Sequence, residues 1–347
     1  ISAGGTGATT AAAARTALDV PSNAELTDLA SDITDIQTVV QGIVSIPQGR
    51  LTLTSATPSI AADVIAGTSV YYTPYVGNLA PIWDGTQYVM RTFAELTLSL
   101  ASQHTANNLY DVFLFWNSGA VEIVTGPAWS NSTAGSCSRG TGAGSTELER
   151  KNGLWTNKNS ITGRNGATTY TIDAYKALFI GTILIDGTNG QISQHVTVGQ
   201  SRKPGPSNVY SRIRRTIISA DPTSSWSYGT AAFRVSRNDA TNGIPVINCL
   251  PEEEVSITFQ QMILVDANKS GVIGIGVNST SVSSGVLGRA SQGNVTGQNS
   301  NTTITAAHRS LAADGLNIYY PLEYGHASSL ALYGTSNDMR FCVEWMA

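Results

Sequence analysis

Between Ser22 and Val44 the apolar residues Leu26, Leu29, Ile33, Ile36, Val40 and Ile43 recur at alternating intervals of three and four. That spacing is the stripe of a helix whose apolar side meets other helices. Leu26, Ile33 and Val40 take the a positions of a heptad, and Leu29, Ile36 and Ile43 take d. β-Branched residues at both a and d in the later turns favour three or four strands over two, so a homotrimeric coiled coil is expected over residues 22–46. Ser22 and Glu25 make an S-x-x-E capping box at its start, and Pro47 and Gly49 stop it. A run this short is marginal alone, so it would register copies that touch again further along the chain. Ahead of it, residues 1–21 form a connector with a Thr-capped, Ala-rich helical turn from about Thr9 to Leu18.

From Gly49 the period changes to two. Leu51 and Leu53 alternate with Thr52 and Thr54, and Val70 to Tyr75 reads as an aromatic strand. Ile82-Trp83, the Asp84-Gly85 turn and Gln87 to Arg91 predict one hairpin; Tyr110 to Trp116 and Ala120 to Thr125, flanking Asn117-Ser118-Gly119, predict another. Tyr170 to Ile172, Ala177 to Asp186 and Gln191 to Val198 continue what reads as an antiparallel meander. Ser130 to Glu147 is too rich in Gly and Ser for an element and is expected to be a long surface loop.

The prolines and glycines of Gly199 to Asn208 mark a boundary between a first β domain, 47–200, and a C-terminal one, 201–347. In the second, strands are expected at Val209 to Ser219, Ala231 to Ser236, Pro245 to Leu250, Val255 to Val265, Gly271 to Asn278, Leu316 to Tyr324, Ser329 to Tyr333 and Met339 to Met346. Ser279 to Thr303, low in complexity, reads as a long excursion or an inter-subunit arm. In the last strand Phe341, Val343 and Trp345 alternate with Cys342 and Glu344, which predicts a chain end tucked into a sheet. The fold class is thus mainly β: a short trimeric coiled-coil helix followed by two antiparallel, jelly-roll-like β-sandwich domains.

Composition sharpens this. Only 13% of the 347 residues are charged, about half the usual share, so polarity comes from hydroxyls and amides. That suits an extended, exposed β-protein better than a metabolic enzyme. A net charge of -4 supplies no field toward nucleic acid, which is not an expected partner. The longest apolar run, Ala177 to Ile185, is far short of the roughly 20 residues of a membrane span. Cys137, Cys249 and Cys342 are scattered, and no disulfide framework is expected.

The string GGTGATTAAAARTAL, residues 4–18, resembles a segment that recurs in bacteriophage tail-fibre and virion appendage proteins, ahead of their host-facing part. A trimer-type heptad and β-rich sequence follow it here in the order such fibres resemble. WDGTQY, NNLYDVFLF and GLWTNKNS are similar to C-terminal modules of phage structural proteins. The resemblance implies a virion location, a homotrimer, and attachment to a bacterial surface glycan or receptor. The alternative it implies is a purely structural fibre, collar or capsid decoration component. Because the chain starts at Ile1 and not Met, an upstream region is expected to join it to other virion proteins. Collagen-like and pectate-lyase-like repeats and a chaperone-like terminal segment are absent from the sequence, so the kind of appendage stays open.

Candidate chemistry is sparse. No G-x-S-x-G, Walker A, H-E-x-x-H or dinucleotide fingerprint occurs. Gly140 to Ser145 is Gly-rich but lacks a following Lys and reads as loop. Asp266, Asn268, Ser270 and Gly271 copy half a calcium loop but lack the closing Glu, and read as a turn. His104, His195, His308 and His326 have no ligand spacing, and Glu252, Glu253 and Glu254 read as a solvated turn, not a glycosidase pair. No cofactor, metal or enzymatic activity is expected. Arg212, Arg214 and Arg215 form the basic cluster, with Arg212 and Arg214 sharing a strand face. Exposed aromatic rings beside amides and hydroxyls are the common furniture of glycan binding. Trp129, Trp155 with Asn157, and Trp226 with Tyr228 are the candidates.

Overall fold

In the computed structural model, the described residues are 8–19, 21–42, 46–252, 254–265, 269–293, 300–325 and 330–347, with the side chains of 37–42 and 330 excluded. Ile43, Glu253, Asp266, Asn268, His326 and the side chain of Val40 therefore lie outside the description.

Two helices precede the sheets. In α1, Ala11–Ala17, the Ala13 N–H donates to Oγ1 of Thr10 at 3.1 Å, which caps the helix. In α2, Asn23–Gly42, the capping box forms in full: Ser22 N donates to Glu25 Oε2 at 2.6 Å and Glu25 N to Ser22 Oγ at 3.2 Å. Leu26, Leu29, Ile33 and Ile36 are 51%, 55%, 46% and 62% exposed, so the four described seam residues are only partly covered within the chain, Leu26 and Leu29 facing a hollow shared with Ala12 and Thr16 of α1. α2 comes near the strand Tyr88–Thr92. No helix among the described residues is long and apolar enough to cross a membrane.

The rest is mainly β. Both predicted hairpins form. Leu79–Trp83 pairs with Tyr88–Thr92, and Asp84 Oδ1 accepts from the Thr86 and Gln87 amides at 2.7 and 2.9 Å. Leu109–Asn117 pairs with Ala120–Ala128 through a turn in which Ser118 and Gly119 both have positive φ, the type I′ requirement.

The meander is overturned. Ala177–Leu184 does not pair with Ile192–Gln194; it lies between Leu109–Asn117 and Leu154–Asn157, while Ile192–Gln194 pairs with Val64–Gly67. The physical reason is burial. Ala177 to Ile183 are all buried, so that strand needs partners on both edges and cover on both faces. Among the described residues no pairing crosses from 49–208 to 214–347.

In the second half the sheet curls so that its inner faces meet. Glu254–Val265 and Met339–Met346 alternate inward and outward, and Phe259 and Phe341 touch edge to face at 5.8 Å and 88° in the core. The closing strand runs between Arg214–Ser219 and Glu254–Val265, as its alternation predicts. Two expectations fail here. The low-complexity stretch Ser279 to Thr303 is not a free arm: it carries the strand Ser284–Ser291 and the start of Ser300–Leu311. Ser300–Leu311 pairs along its whole length with Glu254–Val265, yet only Ile304 and Ala306 are buried in it, so the apolar signal is too thin to read. The expected strand at Val209 to Ser219 starts only at Arg214.

Phe341→Ala is expected to lower unfolding stability by about 3–5 kcal/mol, read by urea titration; a loss below about 1 kcal/mol would place the core elsewhere. A second test concerns pH. Burial pushes the Asp63 carboxyl up, but donors from Thr197 and Val196 outweigh it and bring its pKa down to about 2. Stability from this group is present above the ordinary aspartate range and lost as pH falls through the folded pKa. Asp63→Asn is therefore expected to cost about 1–2 kcal/mol at neutral pH, with the gap to wild type closing between about pH 4 and pH 2.

Candidate functional site

A cleft of about 510 Å³ opens where the Gly- and Ser-rich loop meets the second half of the chain, a size that admits a small ligand. Trp129 and Trp155, two of the sequence candidates, line it together with Arg139, Glu147, Glu252 and Asp314.

Trp129 follows the strand Ala120–Ala128 and is held by its amide, which donates to the Leu109 carbonyl at 2.9 Å. The loop after it is internally fixed. Asn131 and Ser138 form a β-bridge, and Thr133 N donates to Asn131 Oδ1 at 2.9 Å. Gly315, at φ 80°, lets the other side approach: a Cβ there would stand 2.5 Å from the Cys137 Cβ and 2.7 Å from the Trp129 ring. Leu316 N then donates to the Cys137 Sγ at 3.2 Å.

The loop is a surface feature only in part, because Arg139 turns inward. Its Nε donates to Asp111 Oδ2 at 2.7 Å and its Nη2 to the Cys249 carbonyl at 2.7 Å; Nη1 lies 3.4 Å from Asp314 Oδ2. Asp111 is fully buried and also accepts from Thr182 Oγ1 at 2.7 Å. The guanidinium stacks over Trp129 at 4.1 Å, a cation–π contact that fixes the ring from one side. Asp111 and Asp314, on either side of Arg139, hold its pKa above the ordinary value against burial, which alone would lower it. Asp314 is pushed up by burial, and the attraction of Arg139 only partly offsets this.

At the rim the charges are paired. Glu147 accepts from Gly142 N at 2.8 Å and Lys158 Nζ at 2.7 Å, which hold its pKa down. Glu252 accepts from Arg150 Nη2 at 2.8 Å, and Arg150 lies over the Trp155 ring at 4.6 Å. Three buried polar atoms at the cleft have no partner in the protein: Nε1 of Trp129, Nε1 of Trp155 and Oδ1 of Asp314. All three are out of solvent contact, and Trp129 is buried, not exposed as its sequence setting suggests, so the half-buried Trp155 is the ring that the cleft offers a ligand.

The other candidates are placed elsewhere. Asn157 is buried and spends its amide on the Asn159 and Asp173 carbonyls, both at 2.8 Å, and on the Ala177 N–H. Its role is to shape the turn beside Trp155. Trp226 donates to the buried Glu323 at 2.7 Å, and Tyr228, also buried, donates to the Ala232 carbonyl at 2.8 Å beneath Arg234. Sequence reasoning missed Arg139, Asp314 and Glu147. One signal existed: Arg139 and Glu147 are the only charged residues in the loop Ser130 to Glu147.

Arg139→Gln leaves Asp111 as a buried carboxylate without its cation and is expected to cost about 3–5 kcal/mol; Asp111→Asn combined with it should recover part of that loss. Additive losses in the double-mutant cycle, read by chemical denaturation, would mean the two side chains do not act as a pair.

No family model and no curated protein matches the chain. Among solved structures, it is similar to the insecticidal delta-endotoxin Cry8Ea1 of Bacillus thuringiensis at 8% identity, TM-score 0.23, covering 87% of this chain and 52% of that one. A Bacillus thuringiensis Cry1Da tryptic core variant gives 8% identity and TM-score 0.20 over 86% of this chain and 52% of that one. The structure of infectious bursal disease virus, Gx strain, gives 10% identity and TM-score 0.17, covering 87% and 76%. The chain spans about half the length of the two toxin chains, and likeness at these scores carries no inference about fold or function.

Proposed function

We propose that this chain is a homotrimeric bacteriophage fibre or appendage protein that attaches the virion to the host surface by binding a glycan, without catalysing a reaction. The observation that carries this is the exposed apolar stripe of α2. Leu26, Leu29, Ile33 and Ile36 stand about half exposed along one heptad seam, and aliphatic residues in that order find cover when copies of the helix pack knobs into holes. The first part of the chain then acts as the threefold axis, and the β portion, whose curled sheets suit sandwich-like domains, presents the cleft outward three times over.

The half-buried Trp155 ring, with Glu147, Glu252 and Asp314 along the same lining, gives the cleft the mixture a sugar requires: apolar ring surface beside polar groups. Three weak sites on one rigid body bind a repeating polysaccharide far more tightly than one, so modest single-site affinity is enough. Virion localisation and junction with other virion proteins follow from the same reading.

Sedimentation velocity should give the mass of three chains for the wild type and of one for a variant carrying Ile33→Asp and Ile36→Asp; a wild-type monomer would sink the proposal. On an array of bacterial envelope polysaccharides, the trimer should bind a subset, and Trp155→Ala should weaken that binding by about tenfold or more. A well-folded trimer that binds none of them favours the purely structural fibre, collar or decoration role.

A further inference from the structure

A second site lies away from the cleft and shares no residue with it. A small, partly open pocket of about 160 Å³ is lined by residues from 50–60, 194–196, Pro204, 213–217 and Trp345. Arg50, Arg214 and Arg215 line it, and no aspartate or glutamate does.

Arg50 is 2% exposed and donates to three main-chain oxygens: Nε to Pro58 at 3.1 Å, Nη1 to Ser211 at 2.6 Å and Nη2 to Ala347 at 2.7 Å. Arg215 donates through Nη1 alone, to the Pro204 carbonyl at 2.6 Å and that of Pro206 at 3.2 Å. Arg214, at the same lining, lies 3.8 Å from Glu344 and is thus matched. Carbonyls satisfy N–H groups but do not neutralise charge, and the half-buried Arg215 repels the buried Arg50 beside it. A negative charge at Ala347 would balance one of them and leave the other. Burial brings the pKa of Arg50 down to about 10, and burial with Arg50 as neighbour brings that of Arg215 to about 9, so both stay cationic at neutral pH. Trp345, 4% exposed and lining the same pocket, has an Nε1 donor with no partner in the protein.

A buried and a half-buried guanidinium with no aspartate or glutamate in the lining, an orphaned indole donor and a small, partly open volume fit one kind of occupant. We propose that this pocket binds an oxyanion of phosphate size, with the Arg215 guanidinium and the Trp345 indole N–H as its donors and Arg50 supplying charge from behind. Planar, forked guanidinium groups suit the tetrahedral or trigonal oxygens of such a group. The pocket thus takes either a free anion or the phosphate of a surface polymer.

Isothermal titration of the full chain with inorganic phosphate, at ionic strength matched with chloride, tests this. Saturable binding is expected, weakened about tenfold or more in Arg215→Gln and severalfold in Trp345→Phe, which keeps the apolar ring and removes only the donor. Should Arg215→Gln fail to fold, Arg215→Lys keeps the charge, loses the fork, and should also weaken binding. A parallel titration with a glycerol-phosphate oligomer separates the sources: competition with inorganic phosphate places a polymer phosphate in the pocket, and binding of phosphate alone limits it to the free ion. No saturable binding of either, or binding unaltered in the variants, overturns the proposal.

Discussion

A fully buried carboxylate on the strand Leu109–Asn117, Asp111, has to be neutralised where it stands. The side chain that does so comes from a loop, not from a neighbouring strand. Arg139 reaches in from the Gly- and Ser-rich segment, forks onto Asp111, and reaches the Cys249 carbonyl and Asp314 on the far side. One guanidinium thereby fixes the loop, fastens the two halves of the chain and holds the Trp129 ring in place. Remove it and the cleft loses its floor, one of its aromatic walls and the geometry of Asp314 together.

The same contact joins the halves without a shared strand pairing. Leu109 and Trp129 pack with Ile247, and Cys249 and Leu250 enter the apolar cluster around Phe113 and Phe179. Apolar packing supplies the area, and the ion pair supplies the register in which that area closes. The cleft is anchored by this seam where it meets the sheets, while its rim of paired charges, Glu147 with Lys158 and Glu252 with Arg150, stays open to solvent.

What could be read from the sequence was whatever is local. The capping box at Ser22 and Glu25, the turns at Asp84-Gly85 and Ser118-Gly119, and the alternation of Phe341, Val343 and Trp345 are each decided within a few residues, and each forms. Partner choice is decided at long range. Ala177–Leu184 is apolar on both faces, so nothing in it names Leu109–Asn117 and Leu154–Asn157 as neighbours. Ser300–Leu311 is hard to read because the outward residues of its first half are the Ser, Asn and Thr that elsewhere mean loop. The tryptophans drew notice by type. That Trp129 and Trp155 share a cleft, and that Trp226 and Tyr228 are spent on Glu323 and Ala232, depends on residues far away in the chain.

We propose a threefold stem that carries glycan clefts outward, and a crystal structure of the protein soaked with a short oligosaccharide from a polysaccharide that it binds tests that most directly. It should show three α2 helices packed along Leu26, Leu29, Ile33 and Ile36, with sugar density against Trp155 and Asp314 in each copy. Helices folded back on their own sheets, or sugar bound away from that cleft, would contradict it.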